Sequence, residues 1–488
     1  MKKTLTLFLG IAIAVSSYAT HLMGGQISAT YLSSDSTGSH YILDLEVYRD
    51  TLGVSMYLNQ TVEVYLLDTT VFPPTFNLAF SHTIAFDTSS GGAMSSLASV
   101  YGVEIYNFRD TITFPANGNY MIKWDDCCRN DAIINMAAPL SEHMDFLTFV
   151  SVDSSNPNST PTFLTPPVAY LPVDSIWQYN PLPFDPDGDS LVWTISVPLG
   201  AGYPVPVDVV GYVSLSDTLY SNPNGIFSID AITGQISWNP KMVGNFVAAF
   251  AIAEYRNGVL IGGMSRDMQF IVVPNTLNAM PQISNMQSLP TNNFGYPYIK
   301  IAPGQNYQVS LLASDPDVND VVSLEAFGES FGLSTAPSLF SYTSTGNGNE
   351  VEATFSWTPD MIHVRPNPYL VVFRTSDNFF YYDETVQIEV TNNTTAFDEV
   401  AEFKVHDIYP NPASTSFTLS LSLDKGQYVA VDIYNVLGIK VSSEQLYLSS
   451  GNHILVKNFD LHSGQYFVNI TDVSNGLRIT TKKLLVVK

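Results

Sequence analysis

Tyr41-Ile42-Leu43-Asp44-Leu45-Glu46-Val47-Tyr48 places an apolar side chain at every odd position, with Asp44 and Glu46 between them. A period of two is the pattern of a β-strand with one buried face, because successive side chains leave a strand on opposite sides. Gln60-Thr61-Val62-Glu63-Val64-Tyr65-Leu66 repeats it. Working outward, the composition supports the same element type: 27 Tyr and 28 Phe supply strand formers and core volume,. The 30 Gly and 29 Pro break the chain into short segments, and helix-forming runs of Ala, Glu, Lys and Leu are nearly absent,. The expectation is an all-β chain.

A length of 488 residues fits three or four domains,. Lys2 and Lys3 precede a short apolar run from Leu5 to Val15, and Ser17-Tyr18-Ala19 offers a small–x–small cleavage site. Residues 1–19 therefore read as a signal peptide, the run being shorter than the roughly 20 residues a transmembrane helix needs. No later segment is long and apolar enough for such a helix. The net charge of −25 argues against nucleic acid as a partner, since phosphate binding needs clustered Lys and Arg,. That charge is uneven: Thr20 to Glu402 holds 10 basic and 39 acidic residues, whereas Phe403 to Lys488 holds 8 and 6. Only Cys127 and Cys128 are present, adjacent to each other, so no disulfide framework stiffens the exported chain,. Metal ions are one substitute.

Residues 20–165 form a first unit, closed by the Ser-, Asn- and Pro-rich stretch Asp153 to Pro161. Two diverged copies follow. The first, 166–275, carries Phe184-Asp185-Pro186-Asp187-Gly188-Asp189, then Ile236-Ser237-Trp238-Asn239-Pro240, then Phe246 to Glu254. The second, 276–393, carries Ser314-Asp315-Pro316-Asp317, then Phe355-Ser356-Trp357-Thr358-Pro359, then Tyr369 to Asp377. Three matched features in one order mark an internal repeat. Copies of this size, built of short strands, fit immunoglobulin-like β-sandwiches. Trp238 and Trp357 read as core residues. A linker, 394–402, leads to the last unit, 403–488.

That last unit holds Ile408-Tyr409-Pro410-Asn411-Pro412-Ala413, then Val431-Asp432-Ile433-Tyr434-Asn435-Val436-Leu437-Gly438, then Leu461-His462-Ser463-Gly464-Gln465-Tyr466-Phe467-Val468, and ends Lys483-Leu484-Leu485-Val486-Val487-Lys488. Physically it reads as a small sandwich of six or seven strands. It resembles the type A C-terminal sorting domain of the Bacteroidetes type IX secretion system. The resemblance implies export by that machinery, cleavage by a sortase-like surface protease, and attachment to lipopolysaccharide.

Asp185, Asp187 and Asp189 alternate, so one turning loop can aim three carboxylates at a point, as Ca²⁺ with its six to eight oxygen ligands requires. Gly188 permits the tight curvature and Pro186 pre-sets it. The alternative is an Asp-Gly turn with solvated aspartates. The arrangement resembles cadherin-like and related immunoglobulin repeats, with Phe227-Ser228-Ile229-Asp230-Ala231-Ile232-Thr233-Gly234-Gln235-Ile236 matching their middle segment. The resemblance implies a structural Ca²⁺ site that adds Glu254 from a later strand. In the second copy it implies Asp315, Asp317 and Asp377, with Asn319 and Asp320 nearby; Val318 replaces the glycine there, and the Thr-Gly segment is missing.

In the first unit, His21-Leu22-Met23-Gly24-Gly25, Val47-Tyr48-Arg49-Asp50 and Trp124-Asp125-Asp126-Cys127-Cys128-Arg129-Asn130 resemble an N-terminal module of large Bacteroidetes surface proteins. That module carries a further cysteine where Thr51 stands, so a disulfide from Cys127 or Cys128 to the first hairpin is not expected. Cys128 as a nucleophile with His143 as base is disfavoured by Asp125, Asp126 and Asp131, whose charge opposes thiolate formation. Gly-x-Ser-x-Gly, His-Glu-x-x-His and phosphate-cradling glycine motifs are absent,. The expected function is a non-enzymatic, surface-attached adhesin-like or structural protein with a protein or glycan ligand. The alternative is a secreted glycan-binding or glycan-cleaving protein.

Overall fold

The structure is a computed structural model that describes residues 22–487 apart from 52, 54, 69–74, 91–101, 166–167, 276–277, 293–295, 345–347, 378, 393–403, 406–407, 424–425, 436–439 and 474–476. The signal peptide 1–19 and the linker 394–402 lie outside the described residues. Among the described residues the protein is strands joined by turns and a few single-turn 3-10 segments, with no α-helix.

The opening strand pattern is realised directly. Tyr41, Leu43, Leu45 and Val47, on strand Gly38–Asp50, are buried, and Ile42, Asp44 and Glu46 face the other way, half-exposed. Gly38–Asp50 lies between Leu22–Asp35 and Val103–Phe114. Thr75–Ala85, Asn59–Asp68, Gly118–Cys127 and His143–Val152 pair in that order as the opposing strands. Their inward residues, among them Ile27, Val62, Phe114, Trp124 and Phe146, form one core.

The cores are separate, one drawn from residues 22–152 and the next starting at Ala169, but the sheet runs on across residue 165. The 15-residue strand Val259–Val273 pairs along one edge with Gly244–Arg256. Its other edge meets His143–Val152 at Gly262–Met264, then Leu22–Asp35 at Asp267, then Val168–Pro172 in parallel. A single sheet therefore runs from the first unit into the first repeat. An edge strand this long presents unpaired N–H and C=O groups, and the N-terminal strands cover them. Two buried arginines fix the junction: Arg129 pairs with Asp267 at 2.7 Å and donates to the carbonyl of Leu199 at 2.9 Å. Arg266 donates to Gln26 and, at 2.5 Å, to the carbonyl of Thr165.

The repeat expected from sequence is visible in the topology. In the first copy Val168–Pro172, Val259–Val273, Gly244–Arg256 and Ser190–Ser196 are consecutive in one sheet, facing Trp177–Tyr179, Ile236–Trp238 and Ser228–Ile229. In the second, Tyr298–Ile301, Tyr381–Val390, Tyr369–Ser376 and Ser323–Gly328 form the same order, facing Tyr307–Ser314, Glu350–Trp357 and Leu339–Ser344. In both, the first of these strands joins its neighbour in parallel. Trp238 and Trp357 are buried in the two cores.

The two copies touch each other through hydrogen bonds from Trp177–Tyr179 and the residues after it to Tyr381–Val390. Trp177 donates to the carbonyl of Tyr381 at 2.9 Å, and the amide of Asn180 to Asp383 at 2.8 Å. Asp383 also takes a two-pronged bond from buried Arg374, at 2.7 and 2.6 Å.

Among the described residues the last unit is a sandwich of seven strands in sheets of three and four. Its Pro-Asn-Pro motif has a structural reason. Asn411 accepts from the amide of Leu485 at 2.8 Å and donates to the carbonyl of Lys483 at 2.7 Å, pinning the entry of the unit to its final strand.

Candidate metal sites

The loop after Pro183–Phe184 turns on Asp185. Its Oδ1 accepts the amides of Asp187 at 3.0 Å and Asp189 at 2.9 Å. Gly188 allows that curl with a φ of +77°, where other residues are strained,. The turn leaves Asp185 Oδ2 buried and without a hydrogen-bond partner. Glu254 arrives from Gly244–Arg256, opposite Leu191 and Gly262 in register, with 0% of its surface exposed. Its Oε2 accepts from Asn158 Nδ2 at 3.0 Å, whereas Oε1 has no partner. Glycine at 262 makes the room, since a Cβ there would stand 2.2 Å from Glu254 Oε2. Asp187 Oδ2 accepts the amide of Ser159 at 2.6 Å.

One ligand atom from each of Asp185, Asp187, Asp189 and Glu254 lies within 4.8 Å of the others. The expected four residues are thus brought together. Buried carboxylates without partners resist ionisation. Burial first, then the charge of Asp185, pushes the Glu254 carboxyl well up; burial, with Asp189 and Asp187 adding to it, pushes Asp185 the same way.

One partner was not anticipated. Arg256 donates to both oxygens of Asp189, from Nε at 3.0 and 3.1 Å and from Nη2 at 2.6 Å. It also reaches the carbonyl of Pro157 at 2.9 Å and Asn158 Oδ1 at 2.9 Å. Asp189 is therefore held chiefly by a guanidinium. The oxygens left for an ion come from Asp185, Glu254 and Asp187, although Asp187 Oδ2, which takes the Ser159 amide, also lies 3.4 Å from Arg256 Nη2.

The second copy reproduces the pattern. Asp315 Oδ1 accepts the amide of Asp317 at 2.7 Å, and its Oδ2 is buried and unpartnered. Asp317 Oδ2 accepts the amide of Ala279 at 2.7 Å, as Asp187 does from Ser159. Asp377 accepts from Asn278 Nδ2 at 2.5 Å, as Glu254 does from Asn158. The carboxylates that converge here are Asp315, Asp320 and Asp377. Asp320 takes the place expected for Asp317, whose carboxylate is turned to the Ala279 amide. Burial, reinforced by Asp377, Asp317 and Asp320, pushes the Asp315 carboxyl up to about 6.

Asn158 and Asn278 escaped the sequence reading. A signal existed: Asn158-Ser159-Thr160-Pro161 and Asn278-Ala279-Met280-Pro281 share Asn-x-x-Pro at the entrance to each copy. Cys127 and Cys128 are bonded to each other, not to the first hairpin. His143 faces Asp125, its Nδ1 3.6 Å from Oδ2.

Residues 407–487 match the family described as the Secretion system C-terminal sorting domain. No curated protein matches the chain. Among solved structures, an endo-fucoidan hydrolase of glycoside hydrolase family 107 is 14% identical over 48% of this chain and 35% of its own, with a TM-score of 0.17. A Salmonella alpha-2-macroglobulin is 10% identical over 94% and 36%, at 0.21. The BSP domain of a biofilm associated protein is 9% identical over 96% of both chains, at 0.14. The chain thus spans about a third of the first of these proteins, and scores at this level inform neither fold nor activity. The sorting domain carries the conclusion by itself: the protein is exported by type IX secretion and held at the cell surface.

Proposed function

With surface display as the premise, we propose that the protein is an adhesin-like or structural component whose two repeats are stabilised by Ca²⁺. It acts by binding a surface protein or glycan, without catalysis. In this reading a sortase-like protease removes the sorting domain and the body is joined to lipopolysaccharide. The observation that supports Ca²⁺ most is the duplication. Two loops of differing sequence each keep a buried aspartate oxygen without a partner, beside a second acid that an Asn-x-x-Pro asparagine holds. Unpartnered buried carboxylates are costly, and an oxygen-seeking divalent cation removes that cost. Two diverged copies retaining the arrangement fit a bound ion better than a turn with solvated aspartates.

The test is to array residues 20–393 against glycans and surface proteins, with Ca²⁺ or with EGTA. Retention of a ligand in Ca²⁺, weakened in EGTA, supports the reading. Cleavage of an arrayed glycan would overturn it in favour of an enzyme.

A further inference from the structure

Gly118–Cys127 and His143–Val152 run antiparallel with Asp125 directly opposite Asp145. Like charges facing each other across a ladder repel. Here the repulsion is severe, because the Asp145 side chain has 0% of its surface exposed. Neither Asp145 oxygen has a hydrogen-bond partner. His143, two residues along, lies on the same face. Its Nδ1 is also buried without a partner, 3.6 Å from Asp125 Oδ2 and so beyond hydrogen-bonding range,.

Lys123 is the only lysine or arginine paired with these acids among the described residues. It stands 3.0 Å from Asp125 Oδ1, the oxygen facing away from His143, and 3.5 Å from Asp145 Oδ2. It also donates to the carbonyl of Gly202 at 3.0 Å, which holds it to one side. Two acids against one ammonium leave one negative charge unmatched, and a donor atom from each of Asp125, His143 and Asp145 lies within 4.8 Å of the others.

We propose that Asp125, His143 and Asp145 form a binding site for a first-row transition-metal dication of the zinc type, separate from the two Ca²⁺ loops. The donor set decides the class. An imidazole suits Zn²⁺ and its neighbours, whereas Ca²⁺ takes oxygen alone. The spacing agrees: Zn–N and Zn–O bonds near 2.1 Å in a tetrahedron set neighbouring ligand atoms about 3.4 Å apart. The Asp125–His143 separation is 3.6 Å, and all three donors lie within 4.8 Å of one another. His143 and Asp125 are each about one-third exposed, which gives an ion a way in and leaves a fourth position to water. Lys123 keeps its hold on the far oxygen of Asp125 and orients that carboxylate toward the metal.

The test is calorimetric titration of the full mature chain with Zn²⁺ in excess Ca²⁺, repeated with Co²⁺ to read the visible absorption of a tetrahedral site. One saturable equivalent is expected. His143→Gln and Asp145→Asn should each weaken it at least about tenfold, since even loss of an outer-shell partner costs 10- to 100-fold. Both variants should keep the wild-type far-ultraviolet circular dichroism and a cooperative melting transition, which report an intact fold whatever the outcome with Ca²⁺. If Asp145→Asn does not fold, His143→Gln, at a partly exposed position, still decides. A wild-type chain that takes up no Zn²⁺, or a His143→Gln chain that binds as tightly as wild type, overturns the site.

Discussion

Glu254→Gln separates a calcium site from a turn by the sign of its effect. In the absence of metal, Glu254 holds an acid with one unpartnered oxygen in a fully buried position beside Asp185. At pH 8 the folded chain must either ionise that group in a dry site or hold a proton against the solution. The amide removes the charge and keeps the shape. It can still accept from Asn158, and its own N–H₂ can donate toward Asp185 Oδ2. In EGTA the variant should therefore melt a few degrees above wild type, an unpaired buried polar group costing about 1–3 kcal/mol. With Ca²⁺ the order reverses. An ion bound only by the folded state stabilises by about 2.7 kcal/mol at a hundredfold excess over Kd. The sheet shared by residues 20–165 and 166–275 makes the unfolding unit about 250 residues, for which each kcal/mol moves the midpoint by roughly 2–4 °C. The first site alone should raise the wild-type midpoint by about 5–11 °C, and Glu254→Gln should abolish most of that rise. Differential scanning calorimetry of residues 20–393, in EGTA and in millimolar Ca²⁺, measures all four states. An isolated 166–275 fragment is unsuitable, because Val259–Val273 would lose its partners on one edge. A wild-type midpoint indifferent to Ca²⁺, or a Glu254→Gln chain that keeps the full shift, would refute the reasoning.

Deleting residues 403–488 should leave the chain in the periplasm, as judged by protection from protease added to intact cells; normal surface display would sink the sorting assignment. The Ca²⁺-induced gap in melting temperature should widen from pH 5 to pH 8. Asp315, raised from near 3.8 to about 6, lends stability fully present below its unfolded value and lost as pH rises through 6, and Ca²⁺ restores it by binding the ionised form,. A gap that is flat or shrinks across that range would contradict the protonation of these acids. Asp320→Ala should lower the Ca²⁺ stoichiometry of residues 20–393 by one equivalent in calorimetric titration. Asp230→Ala should leave it unchanged, because Asp230 Oδ1 serves its own turn, accepting the amide of Thr233 at 2.7 Å.

The all-β class was legible because strand periodicity is local: Tyr41 to Tyr48 alternates in sequence as it alternates in burial. The repeat was legible because Asp-Pro-Asp and the buried Trp-x-Pro sit at comparable spacings in both copies. What was not legible depends on pairings between distant segments. Nothing within 259–273 announces that its far edge will meet three different strands in succession, so a boundary at 165 looked natural where the sheet is continuous. The first site was expected down to Glu254, but Arg256 two residues later was not. Its role depends on a loop at 156–158 that only the fold brings close. Asp125, His143 and Asp145 were visible one by one. Their convergence is a matter of register, which puts Asp125 against Asp145 instead of one residue off.

On the proposed Ca²⁺ reading, the charge around the two loops favours the second copy over the first. The first copy looked better because it keeps Gly188 and a third aspartate in the loop. That third aspartate, Asp189, is the one Arg256 occupies with both its oxygens. Four acids against one arginine leave a formal charge of −3 there. In the second copy the three acids that converge, Asp315, Asp320 and Asp377, also total −3, but among the described residues no lysine or arginine pairs with any of them. Two residues beyond Asp377, where the first copy has Arg256, stands Phe379, whose amide instead donates to Asp377 at 2.7 Å. The missing glycine is no obstacle, because this loop closes on Asp317 alone, and Asp320 enters from further along it. A built-in guanidinium tempers the need for metal in the first repeat, and the second has no such substitute. The dependence of the fold on Ca²⁺ should accordingly be steeper at the copy whose sequence departs further from the cadherin-like pattern.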